Sequence, residues 1–136
     1  MKSLSEAAIE AHLKQAELTP TELSLMHLYP INGAVQRVRP EDTAWSCRDA
    51  TYSMVIAGID PNPGKAGAVT QWTKAYWDGV HPFNLGGAYP NFMMDDEGEA
   101  RIKASYGENY ARLASVKKKY DPSNLFQVNQ NIKPAA

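Results

Sequence analysis

The chain has 136 residues, 43% hydrophobic and 21% charged, with a formal net charge of −1, which suits one globular domain and indicates no nucleic-acid partner. Its single cysteine, Cys47, excludes an internal disulfide and predicts a reducing, cytoplasmic location. No apolar run approaches the roughly 20 residues of a membrane span, and the N-terminus lacks the apolar core of a signal peptide, so no membrane association is expected.

The N-terminal pattern predicts an amphipathic helix over residues 3–18. Ser3 and Glu6 have the spacing of a capping box, which satisfies free amide groups at a helix start. His12 lies near the edge of the apolar stripe and has no partner at metal-ligand spacing, so we expect a half-exposed histidine. The predicted buried face consists of Ile9, Leu13 and Ala16.

Extended segments joined by short turns follow this helix. The pattern predicts strands at 23–29 and 34–38, a third extended segment from 43 to 45, and the clearest strand at 50–59. Short connections favour antiparallel pairing. We therefore predict an α+β fold with an antiparallel sheet of about three to five strands, covered by three to four helices in a single domain, 1–136.

The second half of the chain is mainly helical. Helices are predicted at about 65–80, 99–106 and 108–120, and residues 85–94 form a loop-like segment. The acidic triplet 95–97 is interpreted as a solvated turn, and the lysines at 117–119 as a solvated helix face. The expected core faces are Val69, Trp72, Tyr76 and Val80 in the first of these helices, and Tyr110, Leu113, Val116 and Tyr120 in the last.

The C-terminal stretch 120–134 combines a helix stop with a run of amides. Asp121-Pro122 ends the last helix, because proline disfavours helical geometry at the residue before it. Leu125 and Phe126 are predicted apolar anchors. The amides of Asn124, Asn129, Gln130 and Asn131 are expected to bond to backbone, to another segment or to a ligand.

The residues alone define no catalytic machinery. No Gly-rich loop links a strand to a helix, so no phosphate cradle is predicted. The three histidines, His12, His27 and His81, are far apart in sequence, so no metal site is predicted. A nucleophilic pair of Cys47 with a histidine stays open, although a half-buried lone cysteine is usually inert.

Several motifs resemble, in order, the C-terminal part of the berberine-bridge-enzyme-like flavoprotein oxidases, FAD-linked enzymes of the vanillyl-alcohol-oxidase superfamily. The similarity covers roughly residues 25–134. Asn32 stands where the family mostly has glycine. The motifs are Gly33-Ala34-Val35-x-Arg37-Val38, Asp42-Thr43-Ala44-Trp45 with Arg48, Trp72-x4-Trp77, Gly86-Gly87-Ala88-Tyr89-Pro90-Asn91-Phe92, Asn109-Tyr110-Ala111-Arg112-Leu113, Lys119-Tyr120-Asp121-Pro122-x-Asn124-Leu125-Phe126 and Asn129-Gln130-Asn131-Ile132.

The resemblance implies a site around Tyr89-x-Asn91, on the substrate side of a flavin. Tyr89 would assist proton removal from a substrate hydroxyl while hydride passes to the flavin. Phe92 stands where the family often has a second tyrosine, and a phenyl ring cannot move a proton. The alternative is that Tyr89 only packs the sheet against a helix. The cofactor-binding residues implied are Asn91, Asn129, Gln130 and Asn131.

The resemblance also implies a large FAD-binding domain, for which this sequence has no counterpart. FAD is therefore expected only with a partner domain, and none on the isolated chain. The predicted function is a C-terminal fragment or subunit of an FAD-linked oxidoreductase acting on a hydroxyl-bearing small molecule or sugar, inactive alone. The alternative is a non-catalytic, self-associating or binding module. The expected partners are a second copy in a homodimer or a separate FAD-binding chain.

Overall fold

The structure, a computed structural model, describes residues 1–94, 97–128 and 130–136. The chain forms two compact units, Met1–Asn32 with Ala50–Leu85 (unit 1) and Gly33–Asp49 with Gly86–Ala136 (unit 2). The fold is α+β, as predicted. Its described elements are α1 (Glu6–Ala16), β1 (Leu25–Pro30), α2 (Ala34–Arg37), β2 (Tyr52–Ala57), α3 (Ala66–Val80), α4 (Glu99–Tyr106) and α5 (Asn109–Tyr120).

The sheet in the described ranges has two antiparallel strands, β1 and β2, paired from Leu25 opposite Ala57 to Pro30 opposite Tyr52. The predicted strands at 23–29 and 50–59 are thus confirmed, the first shifted to Leu25–Pro30 and the second shortened to Tyr52–Ala57. The prediction of three to five strands is wrong. Residues 34–37 instead form α2, directly after Gly33 at a φ of 64°. The segment 43–45 is irregular and follows a 3₁₀ turn at Pro40–Asp42.

The core of unit 1 is one face of α3. Trp72, Tyr76 and Val80 form a buried cluster, and Val69 on the same face is also buried, which confirms the predicted face. The two strands β1 and β2 cover this cluster with side chains that alternate along each strand. The partly buried residues packed against it are Ala11, Met26, Met54 and Ile56.

Helix α1 presents a different face from the one predicted. Ala8 and His12 are buried, whereas Ile9 and Leu13 are 44% and 60% exposed. The indole Nε1 of Trp72 donates to the carbonyl of Gln15 at 3.0 Å, which holds the last turn of α1 beside α3. The helix starts later than predicted, because Ser5, not Ser3, is the cap and accepts from the amide of Ala8 at 3.2 Å.

Unit 2 contains α4 and α5, both close to their predicted bounds. The predicted inner face of α5 is only partly correct. Val116 and Tyr120 are 47% and 74% exposed, and the buried residue is Ala114. The C-terminal tail runs back along this unit, where the amide of Ala135 donates to the carbonyl of Ala114 at 3.0 Å.

The end of α5 is closed by Asp121, as the sequence indicates. Its buried carboxylate accepts from the amides of Leu125 and Phe126 at 2.7 and 3.0 Å. Lys117 forms an ion pair with it and also donates to the carbonyl of Phe126, so this lysine is not part of a solvated face. The pKa of Asp121 is lowered by the hydrogen bond from Lys117. Leu125 and Phe126 themselves are 73% and 75% exposed, so they are not buried anchors.

The helices of the described ranges are all too short or too polar to span a lipid bilayer. The same ranges hold no group of three or more His, Cys, Asp or Glu side chains that could bind a metal ion. Two residues of the predicted acidic turn, 95 and 96, lie outside the described residues. The third, Glu97, pairs with Arg101 and accepts from the amide of Met94 at 2.9 Å.

Candidate functional site

Tyr89 lies in unit 2, on a loop that we define as the Tyr89 loop, residues 86–94. Its side chain is on the surface and the residue is 47% exposed. Asn91 Nδ2 donates to the phenolic oxygen at 3.1 Å. The ring of Phe92 stands edge-on to the ring of Tyr89 at 5.3 Å between centroids. The exposed group is therefore a phenol, an amide and an apolar ring, all from one loop.

The start of the Tyr89 loop is held by side chains from two other parts of unit 2. The amide of Ala88 donates to Ser105 Oγ at 2.9 Å. The carbonyl of Ala88 accepts from the indole Nε1 of Trp45 at 3.2 Å. Ser105 is fully buried in α4. Both backbone polar groups of the residue before Tyr89 are thus engaged.

The end of the loop is held by Gln130. Its Nε2 donates to the carbonyls of Met93 and Met94 at 3.1 and 3.2 Å. Between the two ends the backbone makes a 3₁₀ turn at Pro90–Phe92, in which the amide of Phe92 donates to the carbonyl of Tyr89 at 2.9 Å. The loop therefore has defined ends and an exposed centre.

The predicted cofactor-binding amides differ in what they offer a flavin. Asn91 is exposed beside the phenol, and Gln130 donates to backbone carbonyls. The Oδ1 atom of Asn131 is buried and has no hydrogen-bond partner among the described residues, so it is a free acceptor. Asn129 lies outside the described residues. Among these residues only the amide of Asn91 is both described and exposed, and a pyrophosphate needs several converging backbone donors.

Cys47 does not have the surroundings of a nucleophile. It is half-buried, and this burial raises the pKa of its thiol, so the thiolate that reacts is disfavoured near neutral pH. Its sulfur lies 3.8 Å from the carbonyl of Ser105, against the backbone of the Tyr89 loop. We interpret Cys47 as a packing residue.

Two residues that hold the loop were missed by sequence reasoning. Trp45 was assigned to an extended segment, and Ser105 is an ordinary small residue within a helical pattern. The sequence marks Gln130 as an amide-bearing residue, but its backbone partners lie more than 30 positions away in the chain. No local pattern encodes such a pairing, because it depends on how α4 and the tail meet the loop.

A separate groove of about 180 Å³ lies between α5 and the segment before Trp45, and it does not include Tyr89. Asn109 connects the two sides of the groove by donating from Nδ2 to the carbonyls of Pro40 and Thr43 at 2.7 and 3.0 Å. The groove is lined by Asp42, Thr43, Ala44, Asn109, Arg112, Leu113 and Val116.

Comparison with known proteins places these features in a family context. Residues 88–133, which contain the centre and end of the Tyr89 loop, match the family described as berberine and berberine like. The FAD-linked oxidoreductase YgaK of Bacillus subtilis is 32% identical over 133 residues, covering 98% of this chain and 29% of that protein. Among solved structures, BBE-like 1 of Physcomitrella patens superposes with a TM-score of 0.81 at 27% identity.

That superposition covers 96% of this chain and 27% of the moss protein. A chitooligosaccharide oxidase superposes with a TM-score of 0.76 at 25% identity, covering 98% of this chain and 31% of that protein. The chain thus spans less than a third of the length of each of these relatives.

Proposed function

We propose, from the premise that this chain carries the berberine-bridge-like C-terminal segment of FAD-linked oxidoreductases, that it forms the substrate side of such an enzyme. The substrate is a hydroxyl-bearing small molecule or sugar. The observation that carries the proposal is the exposed phenol of Tyr89, hydrogen-bonded to Asn91 on a loop held at both ends.

In this proposal Tyr89 reacts as the phenolate, whose oxygen takes the proton of the substrate hydroxyl and becomes the neutral phenol. FAD, when held by a flavin-binding domain, would supply the hydride acceptor. The amide of Asn91 orients the phenol by donating to its oxygen at 3.1 Å. Phe92, 67% exposed beside it, offers an apolar surface to the carbon skeleton of the substrate.

A chimera tests this function directly. The C-terminal part of the Bacillus subtilis relative, the 29% that this chain matches, is replaced by the present chain. We expect a yellow protein whose flavin absorption is bleached anaerobically by a sugar or alcohol. Tyr89→Phe should lower kcat by about 100-fold or more, because general base catalysis contributes that much.

Tyr120→Phe is the matched control, because this tyrosine is 74% exposed on α5, away from the loop. It should leave kcat unchanged. A chimera that holds FAD and turns over equally with tyrosine or phenylalanine at 89 would show that the phenol carries no chemistry.

The second candidate function is a non-catalytic, self-associating module. It is favoured by one observation, the apolar residues Leu125, Phe126 and Val128, which are 73%, 75% and 82% exposed. The chimera distinguishes the two functions, and FAD titration of the 136-residue chain serves only as its reference. We expect the chain alone to bind no FAD under either function, and only the oxidase function predicts flavin reduction in the chimera.

A further inference from the structure

The Tyr89 loop lies tightly against the rest of unit 2 at Gly87. A β-carbon added there would overlap the sulfur of Cys47 and lie 3.2 Å from the carbonyl oxygen of Ala104. Glycine is therefore required by close approach rather than by backbone angle. Before its exposed part begins, the loop packs against the segment around Cys47 and the end of α4.

Ser105 is suited to hold Ala88, the residue after Gly87, in one orientation. Its hydroxyl has a single proton, for which the carbonyl of Arg101 at 2.9 Å and Met93 Sδ at 3.6 Å are the acceptors. The oxygen is then left as the acceptor for the amide of Ala88. Because Ser105 is completely buried, water cannot replace either bond, and the loss of the acceptor would leave a buried amide unpaired.

Trp45 completes the contact from the other side. The indole Nε1 is a donor only, and it is directed at the carbonyl of Ala88. The guanidinium of Arg48 stacks over the same indole at 4.9 Å and donates from Nη1 to the carbonyl of Val35 at 3.2 Å. The indole is thereby held between the loop and the segment that carries it.

The phenol itself has little side-chain support of its own. Among the described residues, its hydrogen-bond and ring contacts are with Asn91 and Phe92, which belong to the same loop. The position of the phenolic oxygen within unit 2 is consequently set by the backbone anchors at Ala88 and at Met93. Displacing a reacting group by about 1 Å can lower a catalytic rate about 100-fold.

We infer that Ser105, Trp45 and Gln130 are positioning residues for Tyr89, acting through the backbone of Ala88 and Met93. The catalytic meaning of this inference rests on the proposed function, whereas the anchoring is a property of the chain itself. It assigns to Gln130 a role in the loop in addition to the flavin contact implied by the family resemblance. It assigns roles to Ser105 and Trp45, which the resemblance does not.

Amide hydrogen exchange by NMR on the 136-residue chain tests the anchoring. In Ser105→Ala we expect the amide of Ala88 to exchange about tenfold faster, because its buried acceptor is gone. Ser115→Ala is the matched control. Ser115 makes the same bond one helical turn back, to Ala111 at 3.0 Å, but it is exposed on α5 and does not contact the loop. Exchange at Ala88 should not change in this variant.

Trp45→Phe is the second variant, and it keeps an aromatic ring while removing the donor. We expect the ring signals of Tyr89 and the side-chain amide signals of Asn91 to shift and broaden, with α3 unaffected. Gln130→Ala should produce the same response from the other end of the loop. Unchanged protection of Ala88 in Ser105→Ala, or an equal loss throughout α4 and α5 in all three variants, would overturn the inference.

The chimera separates this inference from the proposed function. If both hold, Trp45→Phe and Ser105→Ala lower kcat with little change in KM, since substrate contacts remain while the phenol is misplaced. If Tyr89→Phe has full activity, the proposed function fails, and the exchange measurement still decides the anchoring. If exchange at Ala88 is unaffected while Tyr89→Phe is inactive, the anchoring fails and the function stands.

Discussion

A buried histidine joins α1 to α3. His12 is 7% exposed, its Nδ1 lies 3.2 Å from the phenolic oxygen of Tyr76, and that phenol donates to the carbonyl of His12 at 3.3 Å. Nε2 is buried without a hydrogen-bond partner in the described part of the chain. Protonation would place a donor on Nε2 with nothing to accept it, and burial accordingly lowers the pKa of His12 below its ordinary 6.5.

This arrangement predicts a loss of stability on the acid side of neutrality. The unfolded chain takes up a proton on this histidine near pH 6.5, while the folded chain does so only at lower pH. The free energy of unfolding should therefore fall as the pH drops from about 6.5 through the folded pKa, and His12 should contribute no pH dependence above that range. Urea unfolding from pH 5 to pH 8, followed by tryptophan fluorescence, measures this.

The control is a second histidine. His27 is exposed on β1, so His27→Gln should keep the acid-side slope of the wild type. His12→Phe should flatten the slope, because the titrating group is replaced by a ring of similar size that does not titrate. A slope that survives in His12→Phe would mean that another group causes it.

At the scale of elements, the contact of the two-stranded sheet with α3 depends on one close approach. Gly58 follows β2 directly, and a β-carbon there would lie 2.7 Å from Thr73 Oγ1 and 2.8 Å from the carbonyl of Val69. Both atoms belong to α3, and Thr73 is itself held by donating to that carbonyl at 2.8 Å. The side chain of Thr73 therefore cannot move aside without breaking its hydrogen bond to the carbonyl of Val69.

Gly58→Ala should lower the free energy of unfolding by about 1–3 kcal/mol, the usual cost of overpacking. Gly67→Ala is the paired variant, since a β-carbon at this position in α3 meets nothing within 4 Å. It should raise stability by about 0.5 kcal/mol through helix propensity. Chemical denaturation of both variants checks the pair, and equal effects would contradict the close approach.

At the scale of the whole molecule, the surface has unusual apolar exposure. The segment after Asp121 presents Leu125, Phe126 and Val128, and contiguous apolar patches of more than a few hundred Å² are uncommon on monomers. The two-stranded sheet also has edges whose backbone groups can pair with another chain. We predict that the isolated chain self-associates through the 125–128 segment.

Light scattering at high micromolar concentration should show a dimer for the wild type. Phe126→Ser should shift the population toward monomer, because it removes apolar area from the segment. Leu18→Ser is the comparison variant, since Leu18 is 61% exposed but lies beyond α1 in unit 1. A wild type that remains strictly monomeric contradicts the prediction, as does equal dissociation by both variants.

The sequence by itself determined those elements whose pattern is local. The face of α3 follows from apolar spacing within one helix, β2 from alternation, and the end of α5 from Asp121-Pro122. The family resemblance rested on short motifs in order and was confirmed by the match over residues 88–133. Each of these signals lies within a short stretch of sequence and can be recognised without knowledge of the fold.

Only the tertiary structure decided which polar side chains are buried and what they hold. Apolar periodicity pointed to Ile9 and Leu13, yet α1 buries Ala8 and His12, because a small residue and a hydrogen-bonded ring fit closer to α3. Likewise, nothing adjacent in sequence marks Ser105 as the acceptor for an amide 17 positions away. Hydrogen bonds between distant segments depend on how the elements are placed in the folded chain. A sequence pattern does not contain the distances between those segments.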